Sequence, residues 1–273
     1  MSRTLADLGE LGLLAELEQR GLAKGIADDA AQLDGGLVVT QDALLEGVHF
    51  TLERISWRDL GFRAAAVNLS DLAASGATPD GLVVSLGAPG ETELDAVLEL
   101  YEGIAEASVD VVGGDTTAAD RVYLSVTALG RSDRVPGRGG ALPGDLLVVT
   151  GPLGAAGAAF RRGELIRPPV RLEEGRALAA HAHALIDISD GIARDAAHIA
   201  ERSGCRLVVD LDRVPLANGA TVDDLGFGED YELLAAVVDS GPFVEIGRCE
   251  EGEGVELLLG GEPYELASWE HFR

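Results

Sequence analysis

Thr40 and Asp42 stand two apart in Val38-Val39-Thr40-Gln41-Asp42, so a strand there would point both to one face. Two oxygen-bearing side chains on one face suit a hard cation, which takes oxygen ligands, although a half-buried strand ending in Asp before a turn reads the same way. Four further segments place acids beside glycine or a short side chain: Ala27-Asp28-Asp29-Ala30, Asn68-Leu69-Ser70-Asp71, Gly113-Gly114-Asp115-Thr116 and Asp187-Ile188-Ser189-Asp190-Gly191. In the Gly-Gly-Asp segment, expected at a strand's carboxyl end, glycines would let backbone N–H groups approach phosphate and Asp115 could hold a bridging metal. A tight turn uses the same letters. Asp187 and Ser189 alternate onto one face, and Asp190 could cap a following helix. That leaves Asp187 in an apolar strand, where an ionised carboxylate needs pairing or a metal.

Other chemistries find less support. Gly151-Pro152-Leu153-Gly154-Ala155-Ala156-Gly157 resembles a strand–loop–helix phosphate site, but it lacks the Lys-Ser/Thr pair of a P-loop and any dinucleotide fingerprint, so close helix packing is expected. His181 and His183, two apart in a helical context, should diverge to the surface. No Ser-His-Asp order, His-Glu-x-x-His or Cys-x-x-Cys occurs. The residues therefore point to metal-assisted transfer to or from phosphate rather than to a covalent nucleophile.

Positioning these groups requires alternating helices and strands. Leucine spacing predicts a helix from Thr4 to Arg20, then a strand at 37–40. Ser56 should cap a helix over Trp57–Ala74 that places Asn68 and Asp71, three apart, on one face. A buried strand at 82–86, an amphipathic helix at 92–107, a short strand at 109–112 and a long one at 122–129 follow. The run Arg131 to Gly140 breaks every pattern and suggests a domain boundary. The second half restarts with a strand at 145–150, an alanine-rich helix, helices at 171–182 and from Asp190 or Gly191 to 202, and strands at 184–188, 207–209, 231–238, 244–248 and 255–259. The whole is an alternating α/β set.

A chain of 273 residues suits about two domains. With 47 acids against 21 bases the net charge is −26, which disfavours nucleic acid or an anionic membrane as partner. Bound phosphate would need cations or local basic groups. Cys205 and Cys249 are expected in the core, and the lack of a secretory pattern or a long apolar run suggests a cytoplasmic protein.

Taken together and in order, seven stretches resemble the thiamine-monophosphate kinase family, of the superfamily that also holds aminoimidazole ribonucleotide synthetase and selenophosphate synthetase. They are Asp28-Asp29-Ala30-Ala31, Thr40 to Phe50, Val67 to Ala74, Gly113 to Thr116, Ile186 to Gly191, Gly228-Glu229-Asp230-Tyr231-Glu232-Leu233 and Trp269-x-His271-Phe272. The resemblance implies a two-domain α/β (α+β type) fold, residues 1–134 dimerising through their sheet and binding nucleotide and metal, and 135–273 completing the site. It implies ATP and thiamine monophosphate as substrates, several Mg2+ ions and a homodimer. Metal roles fall to Asp28, Thr40, Asp42, Asp71, Asp115, Asp187 and Asp190, with catalysis centred on Asp42, Asp71, Asp115 and Asp190. Gly114, Asp115, Arg138 and Ser189 would contact ATP, and His49, Glu229 and Trp269 the thiamine substrate.

The sequence departs from the family pattern at Ala27 (usually Gly), Gln41 (Thr or Ser), Ser75 (commonly Met) and Ala155 (often Asp), and is shorter around 166–169 and 214–224. Ala27, Gln41 and the shortened second half sustain an alternative, a non-catalytic nucleotide- or cation-binding homologue. A same-superfamily enzyme with another substrate is the second alternative. It fares worse: no cysteine precedes Cys205, as selenophosphate synthetase would need, and Glu270-His271-Phe272-Arg273 lacks the closing cysteine of the hydrogenase-maturation relative.

Overall fold

The computed structural model describes residues 4–24, 26 and 28–267. Its first half runs α1 (Leu5–Gln19), β1 (Ala31–Leu33), β2 (Leu37–Leu45), α2 (Trp57–Ala74), β3 (Thr78–Ala88), α3 (Leu94–Glu106), β4 (Val111–Ala118) and β5 (Tyr123–Arg131). The five strands form one sheet in the order β1-β2-β5-β3-β4, antiparallel except where β3 meets β4. Alternation along the strands sends Val38, Leu82, Val84, Leu124, Val126 and Ala128 into a core shared with α2 and α3.

Ser56 caps α2 as expected, accepting from the Asp59 N–H at 3.1 Å. Two glycines let α2 and α3 cross almost backbone to backbone. A Cβ on Gly61 would lie 1.8 Å from the Leu100 carbonyl oxygen, and one on Gly103 would lie 1.8 Å from that of Arg58.

The second half runs β6 (Leu146–Val149), α4 (Ala155–Arg161), α5 (Leu172–Ala179), β7 (Ala184–Asp187), α6 (Ile192–Ser203), β8 (Arg206–Asp210), β9 (Leu233–Val237), β10 (Val244–Glu250), β11 (Gly254–Leu259) and β12 (Glu262–Pro263). Its sheet has the order β12-β11-β8-β10-β6-β9-β7. One face packs on α6 in a core with Ile192, Ala196 and Ile199; the other meets α5 and the end of α2 through Ala73 and Ala74. Helix α2 thus touches both sheets. Both cysteines are buried and free, as expected of core residues.

Several boundaries move. Strands β2, β3 and β4 extend beyond the sequence reading because polar and glycine residues continue the ladders. Gly113-Gly114-Asp115-Thr116, expected at a strand's carboxyl end, is instead the body of β4, hydrogen-bonded along β3. Gly114 is needed because a Cβ there would lie 1.9 Å from the Val84 carbonyl oxygen. The helix before the two histidines stops at Ala179, so they lie past its end. His181 is exposed, whereas His183 is half-buried with Nδ1 2.8 Å from Asp145 Oδ2.

Candidate active site

Three acids from three separate elements converge. Asp29 follows the loop before β1, Asp71 lies on α2, and Asp187 ends β7; one carboxylate oxygen from each lies within 4.8 Å of the others. Thr40 joins them from β2, its hydroxyl donating to Asp71 Oδ2 and to the Asp29 carbonyl oxygen at 3.2 Å. Ser70 reaches across from α2 to donate to Asp187 Oδ2 at 2.6 Å. Asn68 fixes the strand to the helix: its side-chain oxygen accepts from the Asp42 N–H at 3.0 Å and its amide donates to the Ala64 carbonyl at 2.9 Å.

Crowding of like charges out of water sets the electrostatics. Burial, then the Asp29 charge, pushes Asp42 up to about 6. Burial and Asp29 push Asp187 up to about 8 against the Ser70 hydrogen bond. Asp71 is held well above the usual carboxylate range by burial and then by Asp42, Asp187 and Asp29. Asp29 is raised by burial despite Arg138, whose Nε and Nη2 both donate to Oδ1, at 2.9 and 2.5 Å.

Of the adjacent pair, Asp29 is therefore the buried member. Asp28 is exposed, accepts from the Arg138 backbone N–H at 2.8 Å and lines an open cavity of about 490 Å³. Asp190 lies apart from the three acids, in ion contact with Arg194 (3.0 Å) and grouped with Asp195 and His198. Asp195 is raised well above the usual range by burial and then by Asp190, while burial and nearby arginines lower His198 to about 4. Gly191, rather than Asp190, is the N-cap of α6. Ser189 sits between Asp187 and Asp190, its carbonyl accepting from the Glu229 N–H at 2.7 Å.

Asp115 is on the opposite side of its sheet. Asp42 is in register with Val126, Val84 and Gly114, and these face the helices. Asp115 is in register with Ser85, Ser125 and Ala43, on the face that carries no helix. Gln41 is on that face too and accepts from the Thr127 hydroxyl at 3.1 Å. It therefore points away from Thr40 and Asp42. Gly114 and Asp115 line a cavity of about 520 Å³ with Val84, Val111, Val112 and Tyr101. In the sequence Tyr101 shows only as one member of the amphipathic helix at 92–107.

Two helical turns before Ser70, Arg63 of α2 pairs with the Glu229 carboxylate. His49 Nδ1 accepts from the Leu45 N–H at 3.0 Å. Trp269 lies outside the described residues. The Gly151–Gly157 turn holds no place for an anion: Asp230 fills it, accepting from the Gly154 N–H at 2.8 Å and pushed by burial up to about 6. That supports packing as its role. Asn68, Ser70 and Asp29 are legible as polar residues within the motifs and Arg63 is not, and the partners of all four are remote in sequence.

No helix among the described residues is long and apolar enough to cross a membrane. Residues 27–132 match the family AIR synthase related protein, N-terminal domain, and 143–257 match AIR synthase related protein, C-terminal domain. Thiamine-monophosphate kinase of Aquifex aeolicus (strain VF5) is 34% identical over 98% of this chain and 99% of its own length. That of Mycobacterium tuberculosis (strain ATCC 25618 / H37Rv) is 34% identical over 99% and 94%. The solved structure of AaThiL complexed with AMPPCP and TMP superposes with a TM-score of 0.91 at 32% identity, covering 99% of each chain. The hydrogenase maturation protein HypE in complex with ATP, at 20% identity and a TM-score of 0.72, shares the fold. With both halves matched and relatives of this identity spanning its whole length, the chain belongs to the thiamine-monophosphate kinase family of the AIR synthase-related proteins.

Proposed function

We propose that this protein transfers the terminal phosphoryl group of ATP directly to thiamine monophosphate, giving thiamine diphosphate, with the help of several magnesium ions. The observation that carries this reading is the convergence of Asp29, Asp71 and Asp187, with Thr40 and Asp42 alongside, in a family whose relatives bear that activity in their names. The donor set fits magnesium: every donor is a hard oxygen, and the carboxylates raise one another's affinity for protons, so a divalent cation relieves the same repulsion. Bound magnesium would neutralise phosphate charge as it shifts between donor and acceptor.

In this reading Asp28, Thr40, Asp42, Asp71, Asp187 and Asp190 hold the metals, and Asp29 joins them. Arg138, Ser189 and Gly114 hold the nucleotide, with Tyr101 on the wall of the Gly114 cavity. His49, Glu229 and Trp269 bind thiamine monophosphate, whose thiazolium is cationic and suits a carboxylate and an aromatic face. Holding both polyanions in line is what the chain contributes; its residues supply orientation and no covalent intermediate.

Residues 1–134 and 135–273 act as the two units, in the cytoplasm. We further propose that two copies pair through the first sheet. Edge strand β4 is exposed throughout, and Asp115 faces away from its own chain's acids. A second copy on that face can bring Asp115 to a cluster. Purified protein with ATP, magnesium and thiamine monophosphate should form thiamine diphosphate and ADP in equal amounts, and chelation should stop it. No thiamine diphosphate under these conditions overturns the proposal.

A further inference from the structure

Arg63 is 1% exposed, the most deeply placed cation among the described residues to bridge the two halves of the chain. It projects from α2, two turns before Ser70 and Asp71. Its Nη2 donates to Glu229 Oε1, its Nη1 lies 3.5 Å from the Ile166 carbonyl oxygen, and its guanidinium sits 5.9 Å from the centre of the Tyr231 ring. All three partners belong to the second half. A buried guanidinium stripped of water is tolerated only with such partners.

The partner segment is itself unusual. Glu229 and Tyr231 are non-glycine residues in the left-handed region, at φ 59° and 52°. A side-chain-bearing residue holds that conformation only where surroundings impose it. Here the Glu229 N–H donates to the Ser189 carbonyl at 2.7 Å and the Tyr231 N–H to that of Ile188 at 2.9 Å. The backbone of the turn is thus clamped to the segment that carries Asp187 and Asp190, and the side chain is clamped by Arg63. Glu229 nonetheless keeps 26% of its side-chain exposure. One of its oxygens is engaged from behind while the carboxylate still reaches the open side.

We propose that Arg63 is a positioning residue for the acceptor substrate: it fixes the Glu229 carboxylate, in its left-handed turn beside the acidic cluster, for a cationic ring. This rests on the thiamine-monophosphate kinase reading given above. Arg63 has no exposed surface of its own to offer a ligand, so it acts through Glu229. An ammonium cannot reproduce its planar contact with a carboxylate and a ring at once.

The test is a double-mutant cycle of Arg63→Met and Glu229→Gln, with Arg63→Lys as the milder variant in case Arg63→Met does not fold, reading KM for each substrate, kcat and Tm. Arg63→Met should raise KM for thiamine monophosphate about ten-fold and change KM for ATP less than two-fold. Arg63→Lys should fall between it and the wild type. In a Glu229→Gln background either Arg63 change should add little, because the group it positions has lost its charge. If the wild type forms no thiamine diphosphate, the functional reading fails and this inference with it. If the wild type is active but the Arg63 and Glu229 effects on that KM multiply independently, or both KM values rise together with a fall in Tm, Arg63 is a staple between the halves and the inference alone is overturned.

Discussion

Asp187→Asn should make the metal-free protein less sensitive to alkali while abolishing its catalysis. Asp187 is 2% exposed and shares its surroundings with Asp29 and Asp71. Burial and Asp29 raise its carboxyl to about 8, whereas in an unfolded chain it ionises near ~4. The folded value is the higher one, so the stability tied to this group is complete below ~4 and is lost as pH rises through 8. Between pH 6 and 8 the unfolded carboxyl is ionised while the folded one goes from protonated to half ionised, so the linkage removes about 2 kcal/mol over those two units. For a chain of this size each kcal/mol is about 2–4 °C. With chelator present, the wild type should therefore lose about 4–8 °C more than Asp187→Asn between pH 6 and 8. The Asn keeps an oxygen to accept from Ser70, so the local fold is preserved. Differential scanning calorimetry of both proteins across pH, with and without magnesium and ATP, measures it. Ligands should close the gap by stabilising the wild type more. Parallel Tm–pH curves in chelator would refute the reasoning and make Asp187 an ordinary satisfied carboxylate.

Asp42→Asn should reduce kcat at least ~100-fold with circular dichroism unchanged, because an amide is a weaker magnesium ligand and the Asn68 contact is to the Asp42 backbone; near-normal turnover at saturating magnesium would remove Asp42 from the site. Gly61→Ala should cost about 3 kcal/mol or prevent folding, since its Cβ would fall 1.8 Å from the Leu100 carbonyl oxygen; an unchanged Tm would mean the α2–α3 crossing relaxes freely. Trp269→Ala should raise KM for thiamine monophosphate about ten-fold and leave that for ATP alone, from the loss of stacking on a cationic ring; a joint rise with a large drop in Tm would make Trp269 a packing residue.

The helices were legible because their signals are local. Ser56 before an alanine-rich run marks α2 to the residue, and Leu94, Val97, Leu98, Tyr101 and Ile104 mark α3. The acids were legible as a set because each interrupts an apolar run, which a folded chain tolerates only for a reason. Which acid of a pair turns inward was not. Asp28 and Asp29 are identical in type, and Arg138, a hundred residues on, decides that Asp29 is buried. The face of Asp115 was hidden for another reason. The sequence reads as a strand ending before Gly113-Gly114, and only the ladder with β3 shows the strand running straight through, with side chains alternating along it. Arg63 carries no signal in the sequence because a lone arginine on a helix normally reaches solvent, and its partner lies 166 residues away.

A cluster of mutually raised carboxylates strains the metal-free fold, yet the site's frame survives because α2 outweighs it. Leu60, Leu69 and Leu72 of that helix are fully buried and Val67 is 2% exposed. At about 1.5–3 kcal/mol each, these four side chains supply roughly 6–12 kcal/mol of apolar burial. That exceeds the few kcal/mol by which a single displaced carboxyl disfavours folding near neutral pH. The carboxylates relax by taking up protons rather than by moving apart, because the elements bearing them are tied to α2 by contacts that neutral acids can keep. Strand β2 is held by Asn68, β7 by the Ser70 hydroxyl, and the second sheet by Ala73 and Ala74. Exchange of a proton for a cation then needs little rearrangement of the backbone. Preorganisation of this kind is what phosphoryl transfer by positioning requires.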